Sequence, residues 1–178
     1  MSPTRDSLPL STKLGEILCD QLLRDTFREF CYSELAGENF DFWEEVEVFK
    51  TIEEESERKI RFNNIYARFF SLESAHEMNL SGSMRRISLV ILNFFIKSGQ
   101  DRIRFDAFKN SEQGPPKDVF NRIQRRVHSE LSTEMLYRFL RSSHLKKALL
   151  DKDDPEGAKR RREKLEKFFG VTIEILDV

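Results

Sequence analysis

A chain of 178 residues with a formal net charge of -1 is long enough to bury one sizeable core, and too evenly charged for bulk attraction to nucleic acid or anionic membrane. Its longest apolar stretch, Ile87 to Ile96, is broken by Ser88 and Asn93 and is too short to span a bilayer. No apolar run follows Met1, and Ser2 stands where myristoylation needs glycine, so a soluble protein is expected. The charge is uneven along the chain. Residues 1–80 carry 9 Lys/Arg against 17 Asp/Glu, whereas residues 81–178 carry 21 against 14. The simplest reading of this asymmetry is attraction within the fold. Cys19 and Cys31 lack metal-ligand spacing and read as reduced, partly buried thiols.

Sixteen phenylalanines, seven glycines and apolar residues three and four apart predict an all-α domain. Leu14, Ile17, Leu18, Leu22 and Leu23 suggest one or two short helices, followed by a separate turn of helix holding Phe27 and Phe30. Leu35 to Asn39 breaks the pattern, and Asn39 is the expected N-cap of the next helix, since a short side-chain oxygen accepts from its unpaired amides. That helix puts Phe42, Val46 and Phe49 on one stripe, with Trp43 beside it. A further helix, about Ser56 to Phe70, turns Ile60 (or Phe62), Ile65, Tyr66, Phe69 and Phe70 inward. Residues 71–83 read as a loop around Asn79. An apolar helix on Met84, Ile87, Val90, Ile91, Phe94 and Phe95 follows and stops at Gly99.

Residues 98–116 are the least patterned interior stretch. They predict a surface excursion with at most a short turn at Phe105 to Phe108, closing on Gly114-Pro115-Pro116. Two closing helices are expected, Lys117 to Leu131 with Val119, Phe120, Ile123 and Val127 inward, and Ser132 to Leu150. Asp154-Pro155 starts a last helix and Gly170 stops it. Val171 to Val178 alternates apolar and polar residues and reads as an extended arm.

No catalytic constellation stands out. His76, His128 and His144 are far apart and lack zinc-site spacing, and neither GxxxxGK[ST] nor GxGxxG occurs. No catalytic residue, metal or cofactor is therefore expected. Lys159, Arg160, Arg161 and Arg162 could meet phosphates or anionic headgroups. Glu156, Glu163 and Glu166 are interleaved with them, and pairing along an exposed helix is the simpler reading.

Four blocks carry a resemblance. Glu38-Asn39-Phe40-Asp41-Phe42-Trp43, followed by Phe49-Lys50, is similar to the "EN-apolar-x-FW" hallmark of the regulator of G-protein signalling (RGS) family. Phe27-Arg28-Glu29-Phe30 resembles the family's "FxxFL", Glu77-Met78-Asn79-Leu80 its "EVNL" loop, and Arg138-Phe139-Leu140-Arg141-Ser142 its "RFLxS" helix. In this order the blocks cover roughly Leu14 to Leu149. The resemblance implies an all-α, two-lobed bundle of about nine helices spanning 13–150, with a flexible segment at 1–12 and a basic helix and extended arm at 151–178. It implies no catalytic site within the chain. The family accelerates GTP hydrolysis on the α subunit of a heterotrimeric G protein (Gα) by gripping its switch regions in their transition-state arrangement, without inserting an arginine.

Carried over position by position, the Gα-facing residues are Glu34, Glu38, Asn39, Asn79, Glu130, Glu134, Met135 and Arg138. Glu134 stands where the family usually has aspartate, Met135 where it has serine, and Glu130 at an apolar position that packs on Gα. A shift of one residue would put Leu131 there, but helix phase from Phe120 to Phe139 argues against it. An RGS-homology scaffold that binds a protein without accelerating hydrolysis is the alternative. A cytoplasmic protein recruited to the inner face of the plasma membrane is expected, with weak anionic membrane contact offered by the basic run Lys159 to Arg162; the near-neutral net charge predicts no nucleic-acid partner.

Overall fold

The computed structural model describes residues 10–70, 99–150 and 153–173, and every regular element among them is helical. In chain order these are α1 (Leu10–Leu18), α2 (Gln21–Ser33), α3 (Gly37–Thr51), α4 (Glu55–Phe69), α5 (Gly99–Asn110), α6 (Asn121–Glu130), a π turn (Leu131–Met135), α7 (Leu136–Phe139), α8 (Ser143–Ala148) and α9 (Pro155–Phe169). They divide into two compact units, one of Met1–Gly37 with His128–Val178 and the other of Glu38–Val127.

The first unit is built on α2. Its N-cap is Asp20, in extended backbone, whose carboxylate accepts from the Leu23 amide at 3.1 Å. The helix that follows is thirteen residues long, so Phe27 and Phe30 belong to it rather than to a separate turn. Leu23, Phe27 and Phe30 recur at helical spacing and are buried. Phe139 of α7 meets Phe27 edge-on at 5.0 Å and Phe30 at 5.5 Å, in the geometries aromatic quadrupoles favour. α1 packs on α2 and the π turn, and α8 packs on α2.

The predicted signals of α9 appear as local geometry. The Asp154 carboxylate accepts from the Gly157 amide at 2.9 Å, Pro155 opens the helix, and Gly170 closes it at φ +66°, a backbone region where a side chain would clash. Arg161 reaches both Asp20 and Asp154 at 3.2 Å, and Lys164 reaches Glu16 at 3.1 Å. Ala158, Leu165 and Phe168 are buried. Ile173, in the expected arm, is buried as well, with its amide on the Glu166 carboxylate.

Phe120 is the centre of the second unit. Its ring is fully buried and lies 5.2 Å from Phe49, 5.3 Å from Phe105, 5.4 Å from Phe62, 6.0 Å from Phe70 and 6.1 Å from Phe42. These rings come from α3, from α4 and the residue after it, and from α5, so one side chain ties together segments about 80 residues apart. Charged groups close the periphery. Lys59 donates to the carbonyls of Phe108, Lys109 and Ser111 at the end of α5. A cation there satisfies carbonyls that have no helical partner and offsets the negative end of the helix dipole. Arg58 likewise bonds the carbonyls of Ile52 and Glu53 after α3, and that of Pro115 at 2.7 Å. The Gly114 amide meets the Glu55 carboxylate, and a Cβ there would sit 2.7 Å from the Glu55 carbonyl oxygen.

Several expectations change. Residues 99–110 form a helix, not an excursion: Phe105 is 1% exposed, and Lys59, 49 residues away, ends the helix. Gly99 accordingly stands at the head of α5. Asn39 is no N-cap, because α3 already begins at Gly37 and the Asn39 side chain is inside, 4% exposed. Ile60 points to solvent at 62% exposure, and Phe62 takes the inward place. Tyr66 is half-buried, its hydroxyl donating to Asp106 at 2.8 Å. Trp43 and Leu140 are likewise half-buried. The predicted boundary at residues 131 and 132 is absent. Helix runs on through the π turn to Phe139, and the break comes at Leu140 to Ser142, where the Ser142 hydroxyl caps α8. Asn79, His76 and the predicted helix on Met84 to Phe95 lie outside the described residues.

Candidate functional site

In the first unit, the end of α2 builds one edge of a surface. Glu34 is the C-cap residue and Leu35 follows at φ +62°. The Ala36 amide donates to the Cys31 carbonyl at 2.8 Å and the Leu35 amide to Tyr32 at 3.1 Å. This is a Schellman ending with leucine in the left-handed position that glycine usually fills. The turn holds Glu34 toward α7, where Arg138 donates to its carboxylate. Two residues 104 positions apart are thus paired at the surface, with side chains 29% and 46% exposed. Glu134 stands on the other side of Arg138 at 3.9 Å, one helical turn back.

The π turn sets this register. Its wider winding inserts a residue into the helix, and the Leu136 amide bonds Leu131, five residues earlier. The Ser132 hydroxyl donates to the His128 carbonyl at 2.6 Å and that of Thr133 to Ser129 at 2.8 Å. Such back-bonds supply donors where the ladder is disturbed. Leu131 ends up fully buried while Glu130 is half-exposed, so Leu131 cannot replace Glu130 at the surface. Glu134 is exposed, but Met135 faces inward at 7% exposure. A surface contact through the Met135 side chain is corrected to a packing position.

In the second unit, Glu38 is half-exposed in the first turn of α3, where a carboxylate is favoured by the helix dipole. Asn39 beside it is buried, and its Oδ1 has no hydrogen-bond partner among the described residues. Of the eight residues expected to face Gα, therefore, Glu34, Glu134 and Arg138 meet directly, and Glu130 and Glu38 are half-exposed. Met135 and Asn39 are inside, and Asn79 is outside the described residues.

Residues the sequence reading passed over share this region of the first unit. Tyr32, Leu35 and Tyr137 are the large apolar side chains it leaves exposed there, at 51%, 38% and 60%. The Arg141 guanidinium lies 3.7 Å from the centre of the Tyr137 ring, and the four-residue spacing of an aromatic and a cation on one helix was the signal for it. A groove of about 390 Å³ runs along Phe30, Glu34, Tyr137, Arg138 and Arg141 to His144. Burial, and next the charge of Glu34, pushes the Cys31 thiol well above its ordinary value, which makes it a core group rather than a nucleophile. No cluster of His, Cys, Asp and Glu that could hold a metal occurs among the described residues, and no described helix is long and apolar enough to cross a membrane.

Comparison with known proteins bears on the family of the chain. The family model described as the regulator of G protein signaling domain matches residues 13–148. The chain is similar to Regulator of G-protein signaling 21 of Homo sapiens, 23% identical over 158 residues, covering 89% of this chain and 91% of that protein. It is 26% identical over 129 residues to Regulator of G-protein signaling rgs-6 of Caenorhabditis elegans, covering 72% of this chain and 15% of that much longer protein. Against Regulator of G-protein signaling 5 of Bos taurus it is 26% identical over 137 residues, 77% of this chain and 65% of that one. With an all-helical architecture and a family match over most of its length, the chain belongs to the RGS family and is a regulator of G-protein signalling.

Proposed function

We propose that the chain binds the switch regions of a GTP-bound Gα subunit and accelerates its GTP hydrolysis, contributing no catalytic group of its own. The observation that carries this reading is the Glu34–Arg138 pair, which joins the turn after α2 to α7 at the surface. A paired carboxylate and guanidinium of fixed geometry can hold a mobile switch segment by hydrogen bonds, and holding the GTPase's own groups in place lowers the barrier. Asn79 supplies the loop amide in this reading. The test is single-turnover GTP hydrolysis by a panel of Gα subunits with and without the chain. Acceleration of at least one, lost on Arg138→Ala and weakened on Asn79→Ala, supports the proposal, and no acceleration of any overturns it.

Glu130 favours a second reading, a scaffold that binds Gα or another protein without acceleration. A half-exposed carboxylate at a contact that should be desolvated disfavours a tight complex. Binding indifferent to the Gα nucleotide state would select this alternative. In either reading the chain works in the cytoplasm, recruited to the inner face of the plasma membrane. Lys159 and Arg160 are exposed for weak headgroup contact, whereas Arg161 is engaged by Asp20 and Asp154. Loss of anionic-vesicle binding on charge reversal of Lys159 and Arg160 checks the membrane contact.

A further inference from the structure

We infer that α9 is a clasp on the first unit, and that Arg161 within it is a positioning residue for the Glu34–Arg138 surface. α9 and the return to Ile173 lie past residue 148, where the family match ends, so they are an addition to the matched domain. The addition is built into the unit. Ala158, Leu165 and Phe168 are buried on one stripe of α9. Arg161 stands between Ala158 and Leu165, where that spacing calls for an apolar residue, and its side chain is only 23% exposed. A charge in such a place must be matched by carboxylates brought from elsewhere.

Both carboxylates that match it are helix caps. Asp20 accepts from the Leu23 amide at the start of α2 with one oxygen, and from Arg161 Nε at 3.2 Å with the other. Asp154 accepts from the Gly157 amide at the start of α9, and from Arg161 Nη1 at 3.2 Å. One guanidinium thus ties together the starts of two helices, and its planar fork fixes direction as well as distance. Gly157 serves the same contact. Glycine in a helix ordinarily weakens it, but a Cβ here would overlap the Asp154 carboxylate and push it off Arg161. Two further ties run in antiparallel order along α1, Lys164 to Glu16 at 3.1 Å and Lys13 over the Phe169 ring at 5.9 Å. α1 in turn packs on the π turn, whose wider winding takes Met135 inside and leaves Glu134 and Arg138 at the surface. Contact therefore passes from α9 through α1 to the π turn and Arg138. The consequence for Gα rests on the function proposed above; the clasp itself does not.

The test is amide hydrogen exchange of the full chain across the π turn and α7, with α8, which packs on α2, as the internal reference, together with affinity for a Gα panel. Arg161→Leu keeps the buried stripe and removes the latch. Exchange from Leu131 to Phe139 should quicken about tenfold and Gα affinity fall about fivefold, with α8 within about twofold of wild type. Asp20→Asn, which keeps a capping oxygen for α2, should quicken exchange in the same segment. Gly157→Ala should do so as well, against its gain in helix propensity. Lys164→Glu quickens it, and adding Glu16→Lys restores it. Exchange of that segment within about twofold of wild type in Arg161→Leu overturns the inference. Equal quickening in α8 also overturns it, because the whole unit has then loosened. Quickened exchange with unchanged Gα affinity removes the positioning role of Arg161. If wild type binds no Gα, the function proposed above falls, and exchange alone decides the clasp.

Discussion

Replacing Phe120 by Ala removes the ring that five other phenylalanines surround. The site is fully buried, and its neighbours come from α3, α4 with the residue after it, and α5, so the void cannot be filled by moving one element. Phe-to-Ala changes in packed cores cost about 3–5 kcal/mol, and the number of helix segments meeting here places this one toward the upper end, about 4 kcal/mol. With a urea dependence of about 2 kcal/mol per M, the midpoint should fall by about 2 M. Trp43, the chain's single tryptophan, sits on α3 in the same unit, so its fluorescence follows this core directly. Phe120→Leu keeps much of the volume and should cost about half as much. A loss below about 1 kcal/mol for Phe120→Ala would refute the claim that one ring organises this unit.

Further outcomes follow from the same geometry. A double-mutant cycle on Glu34 and Arg138, both partly exposed, should give a coupling of about 0.2–1 kcal/mol in stability by urea titration, while either single substitution reduces Gα binding by a much larger factor. Leu35→Gly removes a side chain from the left-handed region and should raise stability by up to about 1 kcal/mol in thermal melts, while the lost exposed leucine weakens Gα binding. A thiol reagent at neutral pH should label the exposed Cys19 and spare Cys31 until denaturant is added, because burial holds the Cys31 proton on. The Asp154 carboxyl lies below its ordinary value of 3.8, chiefly because it accepts from the Gly157 amide and then because Arg161 bonds it. Its contribution is present above that ordinary value and is lost as pH falls through the lower folded value, so Asp154→Ala should flatten the acid limb of a stability–pH curve there.

How far the residues alone carried the reading depended on the range of the interactions. The ends of α9 were legible because caps act within four residues: Asp154, Pro155 and Gly170 carry their own instructions. The blocks Phe27 to Phe30 and Glu38 to Trp43 were legible for the same reason, as each lies on a single helix. The surface pair was half legible. Glu34 and Arg138 could each be named, but their meeting depends on a turn in which Leu35 adopts a conformation its type disfavours.

The end of the α6–α7 run shows where local reading fails. Ile123, Val127, Leu131, Met135 and Phe139 are all buried and lie four apart. In an unbroken α-helix each such step drifts by about 40°, so the last would face about 160° away from the first. That drift was the one available sign that the helix must be wound wider. The expected break at residue 131 and the surface place that the family resemblance implied for Met135 both missed it, whereas the π turn keeps the helix going and turns Met135 in.

The sequence by itself determined the helical class, the family, most of the aromatic core and the identity of the charged residues on the candidate surface, because periodicity, caps and composition are local properties of the chain. Only the tertiary structure decided that residues 99–110 are helical, that Asn39 is buried and that the Arg141 guanidinium lies over the Tyr137 ring. Each of these outcomes depends on partners far away in the chain, such as Lys59 at the end of α5, or on how neighbouring helices pack. Contacts of that range follow from packing and ion pairing across helices, and no window of consecutive residues contains both partners.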